Sequence, residues 1–70
     1  MKALTAIEMV RMLTERGWDV VSQRGSHIKL RHAGRSMNNM ITIPDHGSKA
    51  LKVGAQRSIM RVAGIGVNDL

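Results

Sequence analysis

His27-Ile28-Lys29-Leu30-Arg31-His32 is the run on which the fold turns. Successive side chains of a β-strand point to opposite faces, so strict alternation of apolar and polar residues marks a strand with one buried face. Here Ile28 and Leu30 share one face, and His27, Lys29 and Arg31 share the other. Arg24-Gly25-Ser26, just upstream, is turn-like, and Trp18 to Gln23 before it reads as a strand through the β-branched pair Val20-Val21. Downstream, Ala33-Gly34-Arg35-Ser36 is a second turn. Asn39 to Ile43 is a third strand, with Ile41 and Ile43 on a common face, and Pro44 ends it because proline cannot continue the ladder.

Helices flank the strands. Thr5-Ala6-Ile7-Glu8 matches a capping box, a Thr N-cap with Glu three residues later. The spacing predicts a helix from about Ala6 to Arg16, with Ile7, Val10 and Leu13 as its apolar stripe, Met9 and Met12 beside it, and Gly17 in the left-handed closing position. In so small a domain that Met-rich stripe is core rather than a recognition surface. Asp45 to Lys52 reads as a loop. A second helix spans Val53 to Ala63 and buries Ala55, Ile59 and Val62. Gly64 caps it, Ile65 folds back as the hydrophobic partner of a Schellman motif, and Gly66 to Leu70 is a short tail. The order α-β-β-β-α predicts an α+β domain over residues 1–70, with a three-stranded antiparallel sheet and both helices on one face. Val10, Leu13, Ile28, Leu30, Ile41 and Ile59 should then be buried, and Lys29 and Arg31 exposed.

Composition bounds the function. The chain has 70 residues, no Cys and no Phe; Leu, Ile and Val together number 17, which is enough for a thin core. A chain this short buries only about 60% of its unfolded surface. Without cysteine there are no disulfide or thiolate-zinc staples, which leaves tight packing or oligomerisation. No apolar run approaches the roughly 18–20 residues of a membrane span. Met1-Lys2-Ala3-Leu4 leads into a helix signal rather than a secretory leader, so a soluble, cytoplasmic protein is expected. The formal charge is +6, and it is unevenly spread. The first 19 residues are balanced. Arg24 to Arg35 carries four cations and no acid, and His46 to Asn68 carries Lys49, Lys52, Arg57 and Arg61, again with no acid. Such a basic excess is the electrostatic footprint of a polyanion binder.

The three histidines, His27, His32 and His46, bound the chemistry. His27 and His32 are an odd number of residues apart in one strand, so they lie on opposite faces and cannot share a metal ion. With five carboxylates in the chain, no metal site is expected. A Ser-His-Asp hydrolase would need more room for a pocket and an oxyanion hole. RNA, by contrast, carries its own nucleophile, the 2′-hydroxyl. Cleavage needs one group to take that proton, one to protonate the leaving 5′-oxygen, and cations around the phosphorus. Histidine suits the proton transfers and Lys or Arg the charge. His27, with Lys29 and Arg31 on its own face and Arg24 at the start of the hairpin, offers that set. His32, turned inward near a strand end, suits a structural role; His46 in its loop is open to either.

Gly25-Ser26-His27 with the alternating strand ending in Arg31-His32, then Thr42-Ile43-Pro44, then Lys52-Val53-Gly54-Ala55-Gln56-Arg57-Ser58-Ile59-Met60-Arg61-Val62-Ala63-Gly64-Ile65, resembles the HicA toxins, the YcfA-like family. The helix ending in Gly17-Trp18 fits the same pattern. The chain departs from it at Ile28, where a histidine or polar residue is frequent, and at Ala55, where threonine or serine is common. The resemblance implies a double-stranded-RNA-binding-domain-like fold. It also implies an mRNA interferase of a toxin–antitoxin system, cleaving RNA without a cofactor and held inactive by a HicB-type antitoxin; the chain is expected to form either a homo-oligomer or a toxin–antitoxin hetero-oligomer. It assigns the catalytic role to His27 and the turn-shaping role to Gly25. Arg24, Lys29, Arg31, Lys49 and Lys52 are the expected RNA contacts. The alternative is a non-catalytic RNA-binding module of the same fold, in which His27 is one contact among several.

Overall fold

The computed structural model describes residues 1–70. Its elements are α1 (Ala6–Thr14), β1 (Asp19–Arg24), β2 (His27–Arg31), β3 (Met40–Pro44), α2 (Val53–Ala63) and a single 3-10 turn at Val67–Asp69. The three strands form one antiparallel sheet in the order β1-β2-β3. Ile28 lies opposite Ile43 and Leu30 opposite Ile41, so the four isoleucine and leucine side chains form one apolar face. Leu30 and Ile43 have no exposed surface. Both helices pack on this side, α1 against β1 and β3 and α2 against β3. The other face is bare. The expected α-β-β-β-α order and the alternation in β2 both hold.

The capping box forms as the sequence predicts. The Thr5 hydroxyl accepts from the Glu8 backbone N–H at 3.2 Å, and the Glu8 carboxylate accepts from the Thr5 N–H at 2.9 Å. These bonds, the backbone one foremost, hold the Glu8 carboxyl below its ordinary range. A lowered carboxyl pKa stabilises the fold above its unfolded-state value, and that contribution is lost as pH falls through the lowered one. The helix ends two residues earlier than expected. Arg16 N–H bonds back to Leu13 O and Gly17 N–H to Thr14 O, which tightens the last turn. Trp18 N–H reaches Leu13 O across Gly17, whose φ is +93°. This closure drives Trp18 into the core, 1% exposed, so β1 begins at Asp19 rather than at Trp18.

The buried stripe of α1 is shifted from the expected one. Ala6, Met9 and Leu13 are buried, Val10 and Met12 are half-buried, and Ile7 is 52% exposed. Positions 6, 9, 10 and 13 make as regular a helical face as 7, 10 and 13 would, and Ile7 lies about 100° round the axis from Ala6. In α2 the expected Ile59 is buried, but its buried neighbours are Gln56, Met60 and Ala63, while Ala55 and Val62 are half-buried. Gly64 closes α2 at φ +72°, Ile65 N–H bonds to Met60 O, and Ile65 is buried, which is the expected Schellman closure.

The segment Asp45 to Lys52, expected as a loop, has a partner. Leu51 N–H donates to Leu4 O at 2.7 Å, and Thr5 forms an isolated antiparallel bridge with Ala50. Buried Gln56 completes the clamp: its Oε1 accepts from Leu4 N–H at 2.9 Å and its Nε2 donates to Lys2 O at 2.7 Å. No buried side-chain polar atom is left without a partner. Gln56→Leu would keep the bulk and leave the buried Leu4 N–H without its acceptor. Each unsatisfied buried group costs about 1–3 kcal/mol, so urea unfolding should show a loss of that size. Unchanged stability would mean that the clamp contributes nothing.

Candidate functional site

The register of the sheet decides which side chains share the bare face. Directly opposed residues of an antiparallel pair lie on the same side. His27 is opposite Arg24 on β1 and Pro44 on β3; Lys29 is opposite Ser22 and Thr42; Arg31 is opposite Asp19 and Met40. Arg24, His27, Lys29 and Arg31 are all exposed. Opposed Cβ atoms are about 4.5–5.5 Å apart, which brings the Arg24 side chain beside His27. Two positions along a strand are about 6.6 Å apart, which spaces His27, Lys29 and Arg31 evenly along the face. The single ion pair in the protein joins Arg16 and Asp69 elsewhere, so these cations are free to bind a ligand. Ser22 and Thr42 flank Lys29 with hydroxyl groups. The strand periodicity alone could not place them, because pairing register is a property of the sheet.

A two-residue turn presents His27. Gly25 has φ +55° and Ser26 has negative φ, the type II′ pattern that matches the twist of a β-hairpin. A Cβ on Gly25 would meet nothing within 4 Å, so backbone conformation, not space, requires glycine here. Asp45 N–H donates to Ser26 O at 2.6 Å, tying the start of the 45–52 loop to the same hairpin. His27 therefore sits at the end of the sheet from which that loop departs.

The three histidines divide cleanly. His32 lies at the other end of β2, half-buried. Its Nδ1 accepts from the Gly34 N–H at 3.1 Å, so Nε2 carries the proton and donates to Arg16 O at 3.1 Å. The ring meets Trp18 edge-on, with centroids 5.3 Å apart. A Cβ on Gly17 would come within 2.8 Å of His32 Nε2, and one on Gly34 within 3.0 Å of its Cε1. Arg35 covers the other side of this knot. Its guanidinium lies 5.1 Å from the Trp18 ring centre and donates to Val62 O and Ala63 O at the end of α2, at 2.6 and 3.0 Å. Both His32 nitrogens are thus committed to holding α1, β2 and the 33–39 turn together. The Trp18–His32–Arg35 knot escaped the sequence analysis; its one local sign is a glycine beside each contact, Gly17 and Gly34.

His46 is exposed, and its ring makes no hydrogen bond within the chain. With Lys49, Ala50 and Lys52 it lines an open cleft of about 520 Å³. The backbone here is ordered by short contacts: the Asp45 carboxylate accepts from Gly47 N–H at 2.9 Å, and Lys49 N–H bonds to His46 O. Arg24, Lys29 and Arg31 thus share the sheet face with His27, whereas Lys49 and Lys52 belong to the cleft at its end. No three His, Asp or Glu side chains converge as a metal-ligand set, and no helix is long and apolar enough to cross a membrane.

A family model described as the HicA toxin of bacterial toxin–antitoxin systems matches residues 7–65. The chain belongs to the HicA toxin family. The match runs from the first turn of α1 to the Schellman residue Ile65, so it takes in the whole sheet, the hairpin with His27, the 45–52 loop and α2 of this toxin. No curated protein matches the chain.

The division among the histidines has a direct consequence for stability. His32→Ala should cost about 0.5–3 kcal/mol, because the half-buried ring packs edge-on against Trp18 and fills the space beside Gly17 and Gly34. His27→Ala should stay within about 0.5 kcal/mol, as surface changes generally do. Denaturant melts of the two variants test this, and equal losses would contradict the assignment.

Proposed function

We propose that this HicA toxin is a metal-independent endoribonuclease that cleaves mRNA, with His27 moving a proton at the scissile phosphate. The observation that carries this reading is an unpaired imidazole on an uncovered sheet face, flanked on the same face by Arg24, Lys29 and Arg31. An RNA strand laid along β2 meets these cations as phosphate contacts, and Lys49 and Lys52 extend the basic track past the hairpin. The reaction needs no external nucleophile. The 2′-oxygen attacks the adjacent phosphorus, the P–O5′ bond breaks, and the 2′-proton is removed as the 5′-oxygen gains one. His27 performs one of these transfers. The nearby cations stabilise the extra charge on the phosphorus centre. Gly25 sets the turn that aims the ring outward.

The partner in this reading is a HicB-type antitoxin with an acidic surface that covers the bare face or the basic loop. The +6 charge favours such a partner, and excluding RNA from His27 is enough to silence the toxin. Co-expression with the antitoxin should restore growth in cells that the toxin arrests.

The direct test is His27→Ala. Cleavage of single-stranded RNA in the presence of a chelator should fall by about 10²- to 10⁴-fold, the range for a lost acid–base group. RNA affinity and melting temperature should both be kept. Lost affinity with cleavage falling in step would make His27 a contact of a non-catalytic binding module, and unchanged cleavage would remove it from the mechanism.

A further inference from the structure

Cleavage of RNA by its own 2′-hydroxyl needs two proton transfers on opposite sides of the phosphorus, and His27 can serve only one at a time. The second group must lie at the same end of the sheet. His32 is excluded on two counts. It sits at the far end of β2, and both of its ring nitrogens are bonded, to Arg16 O and from Gly34 N–H. Asp19 is also at that far end, opposite Arg31. Asp45 is near, but its carboxylate closes the turn onto Gly47 N–H. Glu8 is held in the capping box of α1, Glu15 follows that helix, and Asp69 pairs with Arg16. His46 remains. It is exposed, its ring is free, and it stands two residues beyond Pro44, which pairs with His27 across the sheet.

The surroundings of His46 suit a phosphate. Lys49, Ala50 and Lys52 line the cleft beside it, the largest depression on the surface at about 520 Å³, and no acid is among its lining residues. The cleft is also firmly held. Ser26 O anchors its start through Asp45 N–H, and the Leu4–Leu51 bond with the Thr5–Ala50 bridge anchors its end. A group that transfers protons needs this fixed placement more than a simple contact does.

We propose that His46 is the second proton-transfer group of the toxin. His27 and His46 would divide the roles of base and acid, with Lys49 and Lys52 holding the RNA backbone in the cleft between the hairpin and α2. One imidazole takes the 2′-proton as the 2′-oxygen bonds to phosphorus. The other gives its proton to the 5′-oxygen as the P–O5′ bond breaks. The products are a 2′,3′-cyclic phosphate and a 5′-hydroxyl, and the protein ends with one proton exchanged between its two histidines. The proposal rests on the ribonuclease reading with His27.

The test uses the full chain with His46→Ala and His27→Ala, and an RNA oligonucleotide carrying a cleavage site mapped on a longer transcript. A second oligonucleotide replaces the 5′-oxygen at that site by sulfur, a leaving group that needs no protonation. His46→Ala should lose about 10²-fold or more in cleavage of the normal RNA, in the range for an acid–base group. Its melting temperature and its affinity for the uncleavable 2′-deoxy analogue should be unchanged. On the sulfur substrate one of the two variants should recover most of its activity, and that variant lacks the acid. Wild-type cleavage by His46→Ala would overturn the proposal, as would a loss matched by lost affinity, or recovery of neither variant. If His27→Ala itself cleaves normally, the ribonuclease reading fails first, whatever His46→Ala does.

Discussion

β2 is the middle strand of the sheet, and the placement of its side chains leaves no freedom to slip. Ile28 and Leu30 face the helices, and both are almost wholly buried. Moving the strand by one residue would expose them, at about 1.5–3 kcal/mol each, and would turn Lys29 into an apolar layer. An unpaired charge in such a layer costs several kcal/mol more. That total is comparable to the whole stability of a small domain, about 5–15 kcal/mol. The outward direction of His27, Lys29 and Arg31 is thus a consequence of where Ile28 and Leu30 must go. The core of this toxin and its exposed basic face are two sides of one periodicity.

The rest of the structure holds the two ends of that strand differently. At the Arg31 end, Trp18, His32 and Arg35 form a knot that ties α1, β2, the following turn and the end of α2 together. Both ring nitrogens of His32 and the guanidinium of Arg35 are engaged there. At the His27 end, the backbone is fixed by the II′ turn, the Asp45–Ser26 bond and the Gln56 clamp, while the side chains of His27, His46, Lys49 and Lys52 are exposed. A rigid backbone with free polar side chains is what a binding and catalytic surface requires. Three histidines of identical chemistry therefore take different parts, because His32 has lost its free nitrogens and His27 and His46 have not.

The elements most legible in the sequence were those governed by local rules. Alternation placed β2 and β3, the capping box started α1, and the Gly64-Ile65 pair ended α2 at the expected residue. What could not be read depends on long-range contacts. The phase of α1 favours Ala6 over Ile7 because of how the helix lies on the sheet. Gln56 is polar and sits in a helix that would be expected to bury apolar residues; its burial makes sense only once Lys2 and Leu4 are beside it, more than 50 positions away in sequence. Trp18 belongs to the core rather than to β1 because the helix closure at Gly17 turns it inward. The face carrying His27, Lys29 and Arg31 follows from alternation alone. That Arg24 and the hydroxyls of Ser22 and Thr42 join it follows from register.

On the proposed function, the bare sheet face and the 45–52 loop form one RNA-binding surface. Amide chemical-shift mapping of the ¹⁵N-labelled protein with a short single-stranded RNA, 2′-O-methylated throughout so that it cannot be cleaved, tests it. The largest shifts should fall on residues 22–31, 40–44 and 45–52, with the outer face of α1 around Ile7 and Arg11 silent. Shifts confined to α1, or to Arg57 and Arg61 on α2 with the sheet unchanged, would contradict the account.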